Sequence, residues 1–552
     1  MSGRDAARAF GFMAAVAALA VPLMLPDHPG VLKTGLVVFF PLELPVLVLT
    51  LALAPTGGPV SIAVRAVVVA ALALRAVLAA ADFGTWMALG RPFNPAYDAK
   101  LLVDGHNLLV GAIGAVPAAL AILGAVALVG LGLFGLWAAT GRLAGWRPPR
   151  PAAAIALVPM LALAGGDMAR STLPVDPPGD AFAARGLLSH AEAVVEARTA
   201  RRDLMRVAAD DAFAAVPGDA LMPALDGTDV IVAFVESYGR TTHDNPLYAE
   251  SVLPTLAAAE RDLRGAGLAA RSAWLTAPTV GGQSWLSHAT LLSGLWIDSQ
   301  PRYDALMASD RATLIHLADR AGRRTAAVMP AITMAWPEAG YFGYDAVYAS
   351  DDLGYRGPPF NWVTMPDQYT WTALERLTLE GREGRADAFV EVALISSHAP
   401  WTPVPELIDW TAVDDGRVFA DMAASGDPPE VVWRDRDRVR AQFGASVVYA
   451  LETAASFAAR QGRAPGRVRL IVLLGDHQPA GFVAQDHGGR DVPVHLIGPP
   501  SLVDRFAAAG WEAGLRPSGE APVWRMDAFR DHFLAAFGPD PAAPATVGQL
   551  DP

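Results

Sequence analysis

Several side chains able to bind a cation or move a proton stand directly after short apolar runs in the second half of the chain. FVESYGR puts Glu236 after the run 229–235, and SSHAPW puts His398 after 388–395. LLGDHQP puts Asp476 and His477 after 468–474, and QDHGGR adds His487. A Glu after a strand is often only a helix cap and a lone His usually packs. The adjacent Asp476 and His477, between a buried run and a proline-containing loop, carry more weight. Carboxylate and imidazole together suit one divalent cation, zinc or manganese ahead of magnesium. A nucleophile is offered by TAPTVGGQSWLSHATLLSG, residues 276–294, where two glycines allow close backbone approach and Ser284 opens an apolar helical run. That spacing puts its hydroxyl at a helix N-terminus, where free N–H groups and the helix dipole favour an anionic phosphate or sulfate. Ser284 could equally serve as an N-cap, and Thr279 and Ser287 compete for the same role. His288, one helical turn further on, either faces the same pocket or packs.

The runs 229–235, 325–329, 388–395, 468–474 and 492–497 are branched and nearly continuous in apolar character, and helical stretches separate them. Strands buried on both faces and joined by helices predict a mostly parallel sheet in an α/β domain. Such sheets bind ligands beyond the carboxyl ends of their strands, which is where these polar residues fall.

The first 170 residues follow a different pattern. The chain of 552 residues is 53% hydrophobic and only 18% charged. Residues 1–170 hold 11 Lys/Arg and 7 Asp/Glu, whereas residues 171–552 hold 32 and 49. The acidic second part argues against a nucleic-acid partner, which needs a basic surface. The absence of cysteine excludes disulfides and thiolate metal sites. Segments 9–26, 31–55, 59–81, 106–139 and 151–166 reach or approach the ~20 apolar residues that cross a bilayer. Five spans are therefore expected, with Glu43 in the second and Arg65 and Arg75 in the third forming one interhelical ion pair and one snorkelling arginine. Arg4 and Arg8 before the first span, and Arg142, Arg147 and Arg150 before the last, put those segments inside and residue 170 onward outside. The expected layout is a five-helix transmembrane domain at 1–170, a juxtamembrane linker with a surface helix at 171–225, a catalytic domain at 226–538 and a tail at 539–552.

The glutamate-serine pair after the first strand, Ser284 with Ser287 three positions on, the SSHAPW histidine and GDH together resemble the alkaline phosphatase/sulfatase superfamily. The likeness is strongest to its membrane branch of lipoteichoic acid synthases and phosphoethanolamine and phosphoglycerol transferases. That resemblance implies that Glu236, Ser284, Asp476 and His477 bind one divalent cation, that Ser284 is also the nucleophile, and that His398 and His487 contact the phosphate or leaving group. The family usually has threonine where this chain has Ser284. The C/S-x-P-x-R motif of sulfatases is absent, since Trp285, Leu286, Ser287 and His288 follow Ser284. In MPAITMAWPEAGY, Trp336 matches a headgroup-reading tryptophan, while Ala331 and Glu338 stand where an Asp and an Arg belong. A carboxylate there suits an amine-bearing headgroup. The implied protein is a sulfatase-like transferase in a bacterial inner membrane, multi-pass, with its catalytic domain periplasmic. It would move a phospho-headgroup from a membrane phospholipid to a lipid or glycan acceptor through a phosphoserine. The alternatives are a phosphatase or phosphodiesterase using the same site, or a non-catalytic membrane scaffold.

Overall fold

The computed structural model describes residues 3–29, 40–55, 57–89, 91–96, 98, 101, 105–106, 109–110, 114–168, 179–380, 386–464, 466, 468–485 and 489–538. One compact unit takes in Met1–Met87 and Arg91–Arg198, and the other takes in Ala88–Gly90 and Thr199–Pro552.

In the first unit the helices are α1 (Gly3–Met24), α2 (Glu43–Leu53), α3 (Gly58–Leu89), α4 (Ala115–Ala144) and α5 (Arg150–Met168); α6 (Phe182–Ala208) leads out of it. Among the described residues four helices, not five, are long and apolar enough to cross a membrane: α1 from Ala6, α3, α4 and α5. The expected second span is represented by α2, whose 11 residues extend only about 16 Å against a hydrocarbon core of about 30 Å. The remainder of that stretch, 30–39, lies outside the described residues. Val116, Leu120, Leu123, Val126, Leu131 and Phe134 of α4 are exposed, as an apolar solvent requires. The anticipated Glu43–arginine pair does not form. Arg75 instead meets Asp27 at 3.2 Å, Arg65 lies 4.1 Å over the Trp137 ring, and Glu43 accepts the Ala184 N–H at 3.1 Å. Glu43 is the first residue of α2, at its end and not mid-helix, so its carboxylate meets a backbone N–H and the arginines find partners elsewhere.

Among its described residues the second unit contains nine strands: β1 (Thr228–Val235), β2 (Ala269–Thr276), β3 (Arg324–Met329), β4 (Ala346–Ala349), β5 (Ala388–Leu394), β6 (Val468–Gly475), β7 (Asp491–Gly498), β8 (Glu512–Ala513) and β9 (Val523–Arg525). They form one sheet in the order β4-β3-β5-β1-β6-β7-β2-β8, with β9 also on β2. The sheet is mixed. Its half from β4 to β6 is parallel, but β7 runs antiparallel to both β6 and β2. Every residue of β1 is buried, because both faces are covered. Ile231, Ala233 and Val235 join one core with Tyr248, Phe443 and Val447. Val230, Val232 and Phe234 join another with Leu286, Leu291 and Phe533. Double coverage is why β1 reads as an unbroken apolar run instead of an alternating one.

Two buried histidines lie together near β1. His495 on β7 donates from Nδ1 to the Ser272 hydroxyl at 2.6 Å, because that hydroxyl gives its own proton to the Gly514 carbonyl. Its Nε2 then accepts from the Tyr238 hydroxyl at 3.1 Å. His243 is buried with Nε2 lacking a partner. Burial holds both imidazoles neutral, with pKa lowered to about 3, and the Arg240 cation adds to the effect on His243. Folded values below the unfolded value of 6.5 mean that the unfolded chain takes up protons first on acidification. Their stabilising contribution is full above about pH 6.5 and is lost as pH falls from there toward 3, by up to about 1.4 kcal/mol per pH unit for each histidine. The urea midpoint in detergent should fall over this window, and His495→Gln, though less stable at neutral pH, should show a flatter acid limb.

Candidate active site

The sheet order puts β1 between β5 and β6, and all three run in one direction. Their carboxyl ends therefore deliver Glu236, the loop of His398, and Asp476 with His477 to one edge. The β2 strand is antiparallel to β7, which is antiparallel to β6, so β2 ends at this same edge. Its loop pairs Val280 with Gln478, and the Gly281 N–H donates to the Gln478 carbonyl at 2.8 Å. That loop enters α7 (Ser284–Ser293) through Gln283, which has φ 64°, leaving the Ser284 hydroxyl at the first residue of the helix.

Here the predicted residues meet. The Ser284 hydroxyl lies 3.1 Å from Glu236 Oε2 and 3.2 Å from His477 Nε2. The same His477 nitrogen lies 3.4 Å from Glu236 and 3.6 Å from Asp476. One ligand atom from each of Glu236, Asp476 and His477 falls within 4.8 Å of the others. The backbone holds these atoms in place. Ser237 adopts φ 57°, and its N–H, with that of His477, donates to Asp476 Oδ1 at 2.8 and 2.7 Å, leaving Oδ2 for the cluster. The His477 Nδ1 proton goes to the Gln478 carbonyl at 2.8 Å, so Nε2 presents its lone pair. Gly475 is required by a close approach, since a Cβ there would lie 1.8 Å from the Tyr238 carbonyl oxygen.

The electrostatics fit a cation. Burial favours the neutral acid at Glu236, but His477, His398 and the Ser237 hydroxyl hold it down to about 2. Burial and the charge of Glu236 push Asp476 up to about 7. Burial opposes charge on His477, yet the two carboxylates raise it above its ordinary value. Two carboxylates this close share positive charge from whatever is available, and a divalent ion supplies it with donors of the right chemistry.

The other expected residues fall as follows. His398 stacks on the indole of Trp362 at 3.9 Å and gives its Nδ1 proton to the Ala399 carbonyl at 2.6 Å, so Nε2 is its working nitrogen. His487 lies outside the described residues. Trp336 and Glu338, in the loop after β3, are part-buried. Trp336 packs near Phe342 and Tyr344, with ring centroids 6.1 and 6.3 Å away. Of the rival nucleophiles, Ser287 is wholly buried, and Thr279 braces the loop by donating to the Gly282 carbonyl at 2.8 Å. Trp362 and Glu391 escaped the sequence reading. Trp362 carries no sequence signal, whereas Glu391 is a lone acid inside an apolar strand.

No protein-family profile and no curated sequence matches the chain. Solved structures do. The lipooligosaccharide phosphoethanolamine transferase A of Neisseria meningitidis, an integral membrane protein, is 14% identical over 86% of this chain and 84% of that one, with a TM-score of 0.43. The phosphoglycerol transferase GacH of Streptococcus pyogenes is 12% identical over 61% and 81%, TM-score 0.37. The periplasmic domain of EcEptC from Escherichia coli, solved as a complex with zinc, is 12% identical over 57% and 83%, TM-score 0.38. At these scores the likeness supports no residue assignment, which rests on the geometry above.

Because Asp476 and His477 must each lose a proton to bind a cation, and both are held above their ordinary values, zinc affinity should rise with pH through the neutral range, as measured by competition with a chelator in detergent. Asp476→Ala and His477→Ala should each abolish stoichiometric zinc while leaving the thermal midpoint within a few degrees, since residues at strand ends add little to the core. Full zinc occupancy in both variants would remove them from the ligand set.

Proposed function

We propose that this protein is a membrane-anchored, metal-dependent phospho-headgroup transferase of the bacterial inner membrane, working on the periplasmic side. It takes the headgroup from a membrane phospholipid and passes it to a hydroxyl of an envelope lipid or glycan. The observation that carries this reading is the Ser284 hydroxyl at the start of α7, 3.1 Å from Glu236 and 3.2 Å from His477. Ser287 and Thr279, by contrast, are occupied in packing and bracing. Four apolar helices of spanning length suit a donor that stays in the bilayer.

Glu236, Asp476, His477 and Ser284 would hold the cation, zinc or manganese by donor type, which supplies positive charge to acidify a hydroxyl and to neutralise phosphoryl oxygens. Ser284 Oγ attacks phosphorus in line as the bond to the diacylglycerol oxygen breaks. His398 Nε2 gives a proton to that departing oxygen and later takes one from the acceptor hydroxyl, which attacks the phosphoserine and returns Ser284. His487 is proposed to share this work or to contact the phosphate. Trp336 and Glu338 are proposed to line the headgroup pocket, the carboxylate favouring an amine.

Incubation with headgroup-labelled phospholipid should label the peptide spanning 272–302. Ser284→Ala should abolish the label and turnover but keep the metal, because three ligands remain. Ser284→Thr should retain part of the activity. Label persisting on this peptide in Ser284→Ala would move the nucleophile elsewhere in the loop. Release of free headgroup phosphate without transfer to any envelope acceptor would make the protein a hydrolase. A phosphatase reporter fused after residue 170 should be active, and one placed in 142–150 inactive.

A further inference from the structure

We infer that His288 is a further phosphoryl-binding residue of this site, held in place by the buried pair of Glu391 and Tyr344; the inference rests on the phosphotransferase reading above.

Glu391 lies mid-strand in β5, level with Val232 of β1 and Ala327 of β3, with its side chain only 1% exposed. It belongs to the apolar face that carries Val232, Phe234 and Phe389. One carboxylate oxygen meets His288 Nδ1 at 2.6 Å and the other accepts the Tyr344 hydroxyl. Stability does not explain a charge here. Apolar residues fill the rest of this face, and replacing a buried polar pair by a packed apolar one is commonly neutral or favourable.

The placement explains it better. The His288 ring stacks on Phe234 at 3.7 Å and 16°. Phe234 is the last but one residue of β1 and Glu236 follows directly after that strand, so the imidazole lies next to the level of the ligand cluster. On α7, His288 follows Ser284 by four residues and shares its face. His288 is also near enough to Asp476 to favour its ionised form. An ionised carboxylate only accepts, so Nδ1 carries a proton. With that edge on Glu391 and one ring face on Phe234, Nε2 is on the edge of the ring that these contacts leave uncovered, and 14% of the side chain is exposed. That nitrogen is not among the buried atoms lacking partners, and no group among the described residues hydrogen-bonds to it. An arriving phosphoryl group, dianionic as a monoester, finds there the outer edge of an imidazole whose other nitrogen is anchored on a buried carboxylate. The result is a charge-assisted hydrogen bond to a phosphoryl oxygen.

The test is the affinity of inorganic phosphate for the full-length, zinc-loaded protein in detergent, by titration calorimetry. His288→Gln should weaken it by at least about tenfold, the size of one charge-assisted hydrogen bond. Glu391→Gln should give a smaller loss, because an amide donating to Nδ1 leaves a neutral imidazole that still donates from Nε2. Both variants should keep wild-type zinc content. Phosphate affinity within twofold of wild type in His288→Gln, or loss of zinc in that variant, would overturn the inference. Zinc-dependent phosphate binding by the wild type beside an unaffected His288→Gln leaves the transferase reading standing and removes only this residue. Absence of phosphate binding by the zinc-loaded wild type overturns both.

Discussion

Everything at the cluster edge of the sheet depends on two carboxylates from the ends of neighbouring strands being forced together out of water. Glu236 closes β1 and Asp476 closes β6, and these strands are hydrogen-bonded partners. Left alone, the two charges would repel in a low-dielectric site. The fold answers with backbone donors on Asp476, a hydroxyl on Glu236 and an imidazole between them. The strained turn at Ser237 and the crowded glycine at 475 make sense as the means of bringing these donors in. Such a site stores unfavourable electrostatics that a bound cation relieves, so cation binding and local rigidity are one problem.

The mixed sheet serves the same end. Parallel strands from β4 to β6 send three of their exits to one edge, and the reversal at β7 brings β2 round to finish there too. The nucleophile loop thus reaches the cluster from the side opposite β5, which carries His398. A sheet edge fed from both sides puts side chains on either side of the cluster without a second domain, as the proposed in-line transfer requires.

In the first unit the physics is simpler. Each buried charge there finds a nearby partner: Asp82 meets His190 at 3.0 Å, Arg91 meets Asp98 at 2.7 Å, and Arg75 meets Asp27. The remaining surface of α4 is apolar and exposed. Satisfying polar groups locally is the condition for placing a helix in hydrocarbon.

Much was legible from residue order alone. Apolar runs without alternation specify strands covered on both faces, and polar residues at their ends specify the ligand edge, because burial and strand direction follow from local pattern. That reasoning reached Glu236, Ser284, Asp476 and His477, whose meeting is set by which strands are neighbours. It could not tell that β7 reverses, since an antiparallel strand buried on both faces reads like a parallel one. It missed the length of α2, because hydropathy does not mark where a helix begins, and it misassigned the partners of Glu43 and Arg75, because ion pairing depends on reach across space. Nor could it choose between a packing and a facing role for His288. Its contact with Glu391, 103 residues away in sequence, is one that only the stacking of α7 on the sheet creates.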